Sequence, residues 1–172
     1  MQVEEFLADI ERRIANLIRI GTVVEVIGSK VKIQTANLIT KPLPYLTQRS
    51  GDCITWWSPS IGEQVLILSQ CGELNNGVVL PAIPTKEYQT KEQTKHIITY
   101  ADGTSISYDY ENKKLDINAV GEVKIKATKI ILDANTEVTK GLIAKDDIKA
   151  GNISVQGHAH VDAEGRKTST SK

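Results

Sequence analysis

Only two cysteines, Cys53 and Cys71, occur among the 172 residues, too few for a disulfide framework. Their expected state is that of buried free thiols in a reducing compartment. Charge of neither sign is in excess, since 21 Lys and Arg balance 21 Asp and Glu. The balance is also local: residues 1–84 carry 7 basic and 8 acidic groups, and residues 85–172 carry 14 and 13. A chain that grips a polyphosphate needs a basic excess somewhere, so nucleic acid is disfavoured as a partner. No apolar run approaches the ~18 residues that span a bilayer. No basic region followed by an apolar stretch opens the chain as a secretory signal would. These absences lead to the expectation of a soluble protein made in the cytoplasm.

Aromatics and prolines are missing from whole regions. All eight aromatic residues lie between Phe6 and Tyr110, and all five prolines lie between Pro42 and Pro84. The first half therefore reads as ordinary globular sequence. The second half is built from Ile, Val, Leu, Ala, Thr, Lys and Asp with regular Gly and Asn. Two architectures share one chain.

What is present begins with a helix. Val3, Phe6, Leu7, Ile10, Ile14, Leu17 and Ile18 recur at steps of three and four and form one apolar stripe, while Glu4, Glu5, Asp9, Glu11, Arg12 and Arg13 cover the other face. The acidic residues come first, as the helix dipole prefers. The stripe can pack on its own domain or on a partner. From Gly21 the period becomes two, giving a strand, a Gly28-Ser29 turn and a second strand. Pro42 and Pro44 are expected to keep the following loop out of any central strand. Three apolar runs follow, DCITWWSPS, GEQVLILSQ and NGVVLPAIP, and are read as strands. Five short strands beside a helix point to a small barrel of the OB type, with an SH3-like barrel as the alternative.

The polar residues 85–95 read as a linker. After them, HIITYADGTSISYDY is a hairpin about Asp102-Gly103. Apolar residues then alternate with polar ones from Leu115 to Val161, interrupted at short intervals by Gly121, Asn135, Gly141, Asp146-Asp147 and Gly151-Asn152. Strands this short offer two or three small aliphatics each. Burying a Val, Ile or Leu is worth roughly 1.5–3 kcal/mol, but only against a facing wall. No helix-forming segment follows that could supply the wall, so copies of the chain must supply it. A homotrimeric, intertwined β-helix meets that need and leaves no free edges. A single-chain β-solenoid is the alternative.

Of three histidines, His96 reads as an ordinary surface residue. His158 and His160 stand at i and i+2, which places both rings on the same face of an extended chain. Two imidazoles make a poor metal site alone, and neither cysteine is near in sequence. About a threefold axis they become six nitrogens, a closed octahedral shell that suits iron, nickel or cobalt better than tetrahedral zinc. Such an ion would be a structural clasp with no position left for substrate. The segment also spells His-x-His-x-Asp, the opening of a hydrolase metal motif. The position after Asp162 is Ala163 where that motif needs a histidine, and no later His or Cys completes it.

Several blocks together are similar to one family. Gly21-Thr22-Val23-Val24-Glu25-Val26, Leu43-Pro44-Tyr45-Leu46-Thr47, Trp56-Trp57-Ser58-Pro59, Gly62-Glu63-Gln64-Val65 and Asn76-Gly77-Val78-Val79-Leu80 precede the alternating run and its terminal His-x-His. The combination resembles the baseplate assembly protein V family, the central spikes of contractile phage tails and of R-type pyocin-like particles. More distantly it resembles type VI secretion spikes.

The resemblance implies an all-β chain with a short N-terminal helix (1–19), an OB-fold domain (20–84), a linker (85–95), a homotrimeric β-helix spike (96–161, apex 157–161) and a polar tail (162–172). It implies no catalysis. The spike caps the tail tube, organises hub and baseplate proteins, and is driven through a target outer membrane. One iron ion per trimer would sit on His158 and His160 of three chains; calcium or chloride near the tip is a further possibility of the family, with no residue assigned. The implied location is a virion or phage-tail-like particle.

Two other functions compete with this one. A cell-wall hydrolase module would have to lie between barrel and spike, and residues 85–95 leave no room for one. A nucleic-acid-binding OB protein could use Trp56 and Trp57 as stacking platforms. The zero net charge and a core-like apolar setting instead favour a packing role for both tryptophans.

Overall fold

Alternate residues along four strands are sealed from solvent, and this period of two builds the first half of the chain. Val31, Ile33 and Thr35 are buried on one strand, Val65, Ile67 and Ser69 on another, Val23 on a third and Val79 on a fourth. The structure is a computed structural model describing residues 3–86, 89–156, 158–159 and 161–167. It divides into two compact units, residues 1–99 with 105–117, and residues 100–104 with 118 onward.

In the first unit, helix α1 (Val3–Leu17) runs directly into β1 (Ile18–Ile27), which pairs antiparallel with β2 (Lys30–Thr35) across the two-residue turn Gly28-Ser29. β3 (Leu38–Ile39) and β4 (Leu43–Pro44) both pair with β2. β5 (Gln64–Ser69) pairs with β1 and with β6 (Gly77–Ile83). The ring then closes where Tyr45 bridges Val79 in parallel and the Leu46 N–H donates to the Val79 carbonyl at 2.9 Å. The closed order β1-β2-β4-β6-β5 is that of a five-stranded OB barrel. Its core is Val23, Val31, Ile33, Leu43, Tyr45, Val65, Ile67 and Val79.

Two sequence expectations are corrected here. The run DCITWWSPS is not a strand: among the described residues it holds only an isolated Ser50–Ile54 bridge. Its neighbourhood is bonded locally, with the Thr55 N–H donating to the Arg49 carbonyl and the Arg49 N–H donating to Thr55 Oγ1. The closing strand is instead β4, which contains Pro44. Proline is tolerated because this strand is two residues long and Leu43, not Pro44, carries the burial.

The same unit holds β7 (Lys95–Thr99), β8 (Ser105–Asp109) and all but the last residue of β9 (Lys114–Asn118), a three-stranded sheet. His96 faces Tyr108 and Ile98 faces Ile106 across β7 and β8. At the hairpin tip the Gly103 N–H donates to the Tyr100 carbonyl, and Gly103 takes a φ of 88° that suits glycine.

The second unit has little regular structure. Beyond β9, among the described residues, the expected train of short strands is present as β10 (Lys149–Ala150) and β11 (Ile153–Ser154), a small hairpin turning at Gly151-Asn152. Among the described residues, 119–148 form neither helix nor strand.

Candidate functional site

Two features of the chain carry chemistry or recognition: a set of exposed apolar faces, and the turn-rich segment that holds the histidines.

The exposed apolar faces begin at α1. The helix is fastened to its own barrel by polar groups. Arg12 reaches Glu73 at 3.3 Å, Asn16 is buried and accepts from Arg19 at 2.9 Å, and Gly72 lies against the Arg13 backbone. Its apolar stripe is left outside, with Phe6, Leu7, Ile14 and Leu17 all exposed. Trp56 and Trp57, expected in a core-like setting, are 59% and 61% exposed. They stand on the locally bonded loop beyond the barrel wall, with Trp56 tilted against Tyr45 at 5.6 Å between ring centroids. Cys53 and Cys71 are likewise exposed free thiols, not buried ones. Cys53 lies on that same loop, and Cys71 lies in a tight turn with a φ of 54° that turns it outward.

In the second unit the exposure is systematic. Val123, Ile125, Ile130, Leu132, Val138, Leu142 and Val155 are each at least half exposed, and Ile143 is 94% exposed. Among the described residues, no backbone N–H and carbonyl between Gly121 and Asp146 pair with one another. A stretch this apolar and without a backbone ladder of its own is uncommon in a folded chain.

The described member of the histidine pair is His158, and His160 lies outside the described residues. A carbonyl oxygen can only accept, so the 2.8 Å contact between His158 Nδ1 and the Val155 carbonyl requires an N–H at Nδ1. In the neutral ring the lone pair then resides on Nε2, the arrangement usual for a metal-ligating imidazole. Among the described residues no three of His, Cys, Asp and Glu gather into a metal site within the chain.

The aspartate of His-x-His-x-Asp has another task. The Asp162 carboxylate accepts from the Arg166 N–H at 2.7 Å, the Arg166 Nε at 2.8 Å and the Glu164 N–H at 3.1 Å. The Arg166 backbone amide, then its guanidinium and the Glu164 amide, hold that carboxyl below its usual pKa. The chain reverses there, bringing Val161 opposite Lys167. The start of the polar tail is thus a hairpin turn. On the other side of the histidines, Asp147 accepts from the Gln156 N–H at 3.1 Å. Sequence reasoning took Asp146-Asp147 only as a break; a short acidic side chain beside a Gly-Asn turn is the signal that could have marked it as a turn former.

Five of the sequence blocks now have positions. The first is β1, and the Leu-Pro-Tyr-Leu block meets the Gly-Val-Val-Leu block where the barrel closes. In the Gly-Glu-Gln-Val block, the Glu63 carboxylate accepts from Ser60 N–H at 2.9 Å and from Ala82 N–H at 3.0 Å, tying β5 to the bulged end of β6. The Trp-Trp block lies on the loop between.

Residues 19–83 match the family described as the type VI secretion system/phage-baseplate injector OB domain. Over 165 residues the chain is 30% identical to the spike protein of Escherichia phage P2, an alignment covering 87% of this chain and 78% of the phage protein.

Proposed function

The chain belongs to the phage spike protein family, and from that premise we propose that it is the central spike of a contractile injection tail, working as a homotrimer. Its role is structural and not enzymatic. The OB barrels sit in the baseplate and cap the tail tube. The alternating segments of three chains wind into a β-helix that is pushed through the target outer membrane when the sheath contracts. The protein thus resides at the baseplate tip of a virion or phage-tail-like particle.

One observation carries this reading. Residues 119–148 expose their large aliphatics almost throughout, among them Ile130, Ile131 and Leu132 in a row, while forming no strand among the described residues. Three such chains supply one another with both the apolar wall and the ladder partners that one chain lacks. At the tip, His158 and His160 of three chains would hold one iron ion. The ion supplies a cross-link where fraying would start, and the imidazole nitrogens are its donors.

Amide hydrogen exchange over residues 119–148 tests the winding. Interchain ladders predict protection by several orders of magnitude. Exchange at the rate of unstructured peptide would remove the needle. Elemental analysis of the purified protein is expected to return one iron per three chains, and one metal per chain would contradict an axial site.

A further inference from the structure

We infer that Asp147 and Asp162 are positioning residues for the His-x-His segment, each fixing the chain on one side of it. On the N-terminal side, Asp147 accepts from the Gln156 N–H at 3.1 Å and from the Ser154 hydroxyl. The Val155 N–H donates to the Ile148 carbonyl at 2.8 Å, closing the β10–β11 hairpin. The Val155 carbonyl in turn takes the His158 Nδ1–H. On the C-terminal side, the Asp162 carboxylate gathers the Glu164 and Arg166 amides and the Arg166 Nε. Its own N–H donates to the Arg166 carbonyl at 3.0 Å, and Gly165 takes the φ of 81° that the turn requires.

The two brackets stand close to what they hold. Gln156 is two residues before His158, and Asp162 is two residues after His160. Between them lie Gly157 and Ala159, which have little side chain to lock a backbone. Fixing an unrestrained backbone costs conformational entropy, and a closed six-nitrogen shell would demand that ordering in three chains at once. The carboxylates do it beforehand through hydrogen bonds that need no metal. This also assigns the aspartate of His-x-His-x-Asp: it grips the turn, not an ion.

The metal consequence rests on the spike reading above; the bracket itself does not. The test uses the full-length protein with Asp147→Ala and Asp162→Ala, their conservative partners Asp147→Asn and Asp162→Asn, and Asp133→Ala as an exposed control. Asparagine keeps an acceptor for the backbone amides, so it should rescue. Two readouts are taken: amide exchange of residues 156–161 in protein stripped of metal, and the rate at which ferrous iron is lost to a chelator. The alanine variants should keep the parent's oligomeric mass, exchange at least about tenfold faster at 156–161 and release iron about 10–100-fold faster. Asp147→Asn and the Asp133 control should follow the parent, while Asp162→Asn keeps the acceptor for the two backbone amides but not the one for the Arg166 Nε, and should show only the smaller rise expected of Arg166→Ala.

Should an alanine variant fail to fold, Arg166→Ala removes only the side-chain grip on Asp162 and should give a smaller rise in the same exchange. Parent-like exchange in the alanine variants, or no rise with Arg166→Ala, would overturn the bracket whatever the metal does. If exchange rises as expected but the parent protein holds no iron, the bracket stands and the six-histidine clasp falls.

Discussion

At Gly21 the barrel has no space for a methyl group. A Cβ there would meet the Ile33 Cγ2 and lie 2.6 Å from the Gln34 carbonyl oxygen. Gly21→Ala must push β1 away from β2 and should cost at least about 1–3 kcal/mol, as overpacking does. Ile33→Ala makes the opposite error at the same contact. Ile33 is fully buried, so the cavity should cost about 2–5 kcal/mol in denaturant unfolding of the full chain. A loss below about 1 kcal/mol for either variant would mean that the core is not centred there. These positions were legible as sequence because burial alternates along β1 and β2. Trp56, Trp57, Cys53 and Cys71 were not, since an apolar residue type does not say whether its wall lies in its own chain.

Among the elements, α1 is mounted by its polar side. Gly72, at a φ of 74°, touches the Arg13 backbone so closely that no side chain fits. Gly72→Val should therefore release the helix while leaving the barrel folded. The expected readout is fast exchange and proteolysis within residues 3–17, with β1 to β6 unchanged; a helix as protected as before would contradict this mounting. The periodicity predicted the helix and its stripe. It left the stripe's partner open, because a helical pattern shows which face is apolar and not what covers it.

The β7–β8 hairpin makes a pH prediction. The Asp102 carboxylate accepts from the Thr104 N–H at 2.9 Å and its hydroxyl at 3.1 Å, and these bonds, the amide first, lower its pKa. A depressed carboxyl stabilises the fold above its unfolded pKa of about 4, and that contribution fades as pH falls through the lower folded value. Protection of the tip, residues 100–104, should hold from pH 7 to 5 and decline only below about pH 4. Decline near pH 6 would point to a different group. The Asp-Gly pair announced this turn in the sequence. The strand assigned to DCITWWSPS failed because apolar content does not distinguish a strand from a loop with its own local bonds, such as those between Arg49 and Thr55.

For the whole molecule, the alternating run from Leu115 to Val161 reads as strand-forming in the sequence, whereas among the described residues only β9, β10 and β11 are strands within it; in the proposed trimer the partners of the other segments would lie on other chains. In one chain His158 is held through the Val155 carbonyl; in the proposed trimer, symmetry would complete a shell around an ion. The central claim is that three copies complete what one leaves open. Native mass spectrometry of the full-length protein tests it most directly. The account predicts a single species near 57 kDa, three times the 18.9 kDa chain, that persists on dilution. A stable monomer at 18.9 kDa would contradict it.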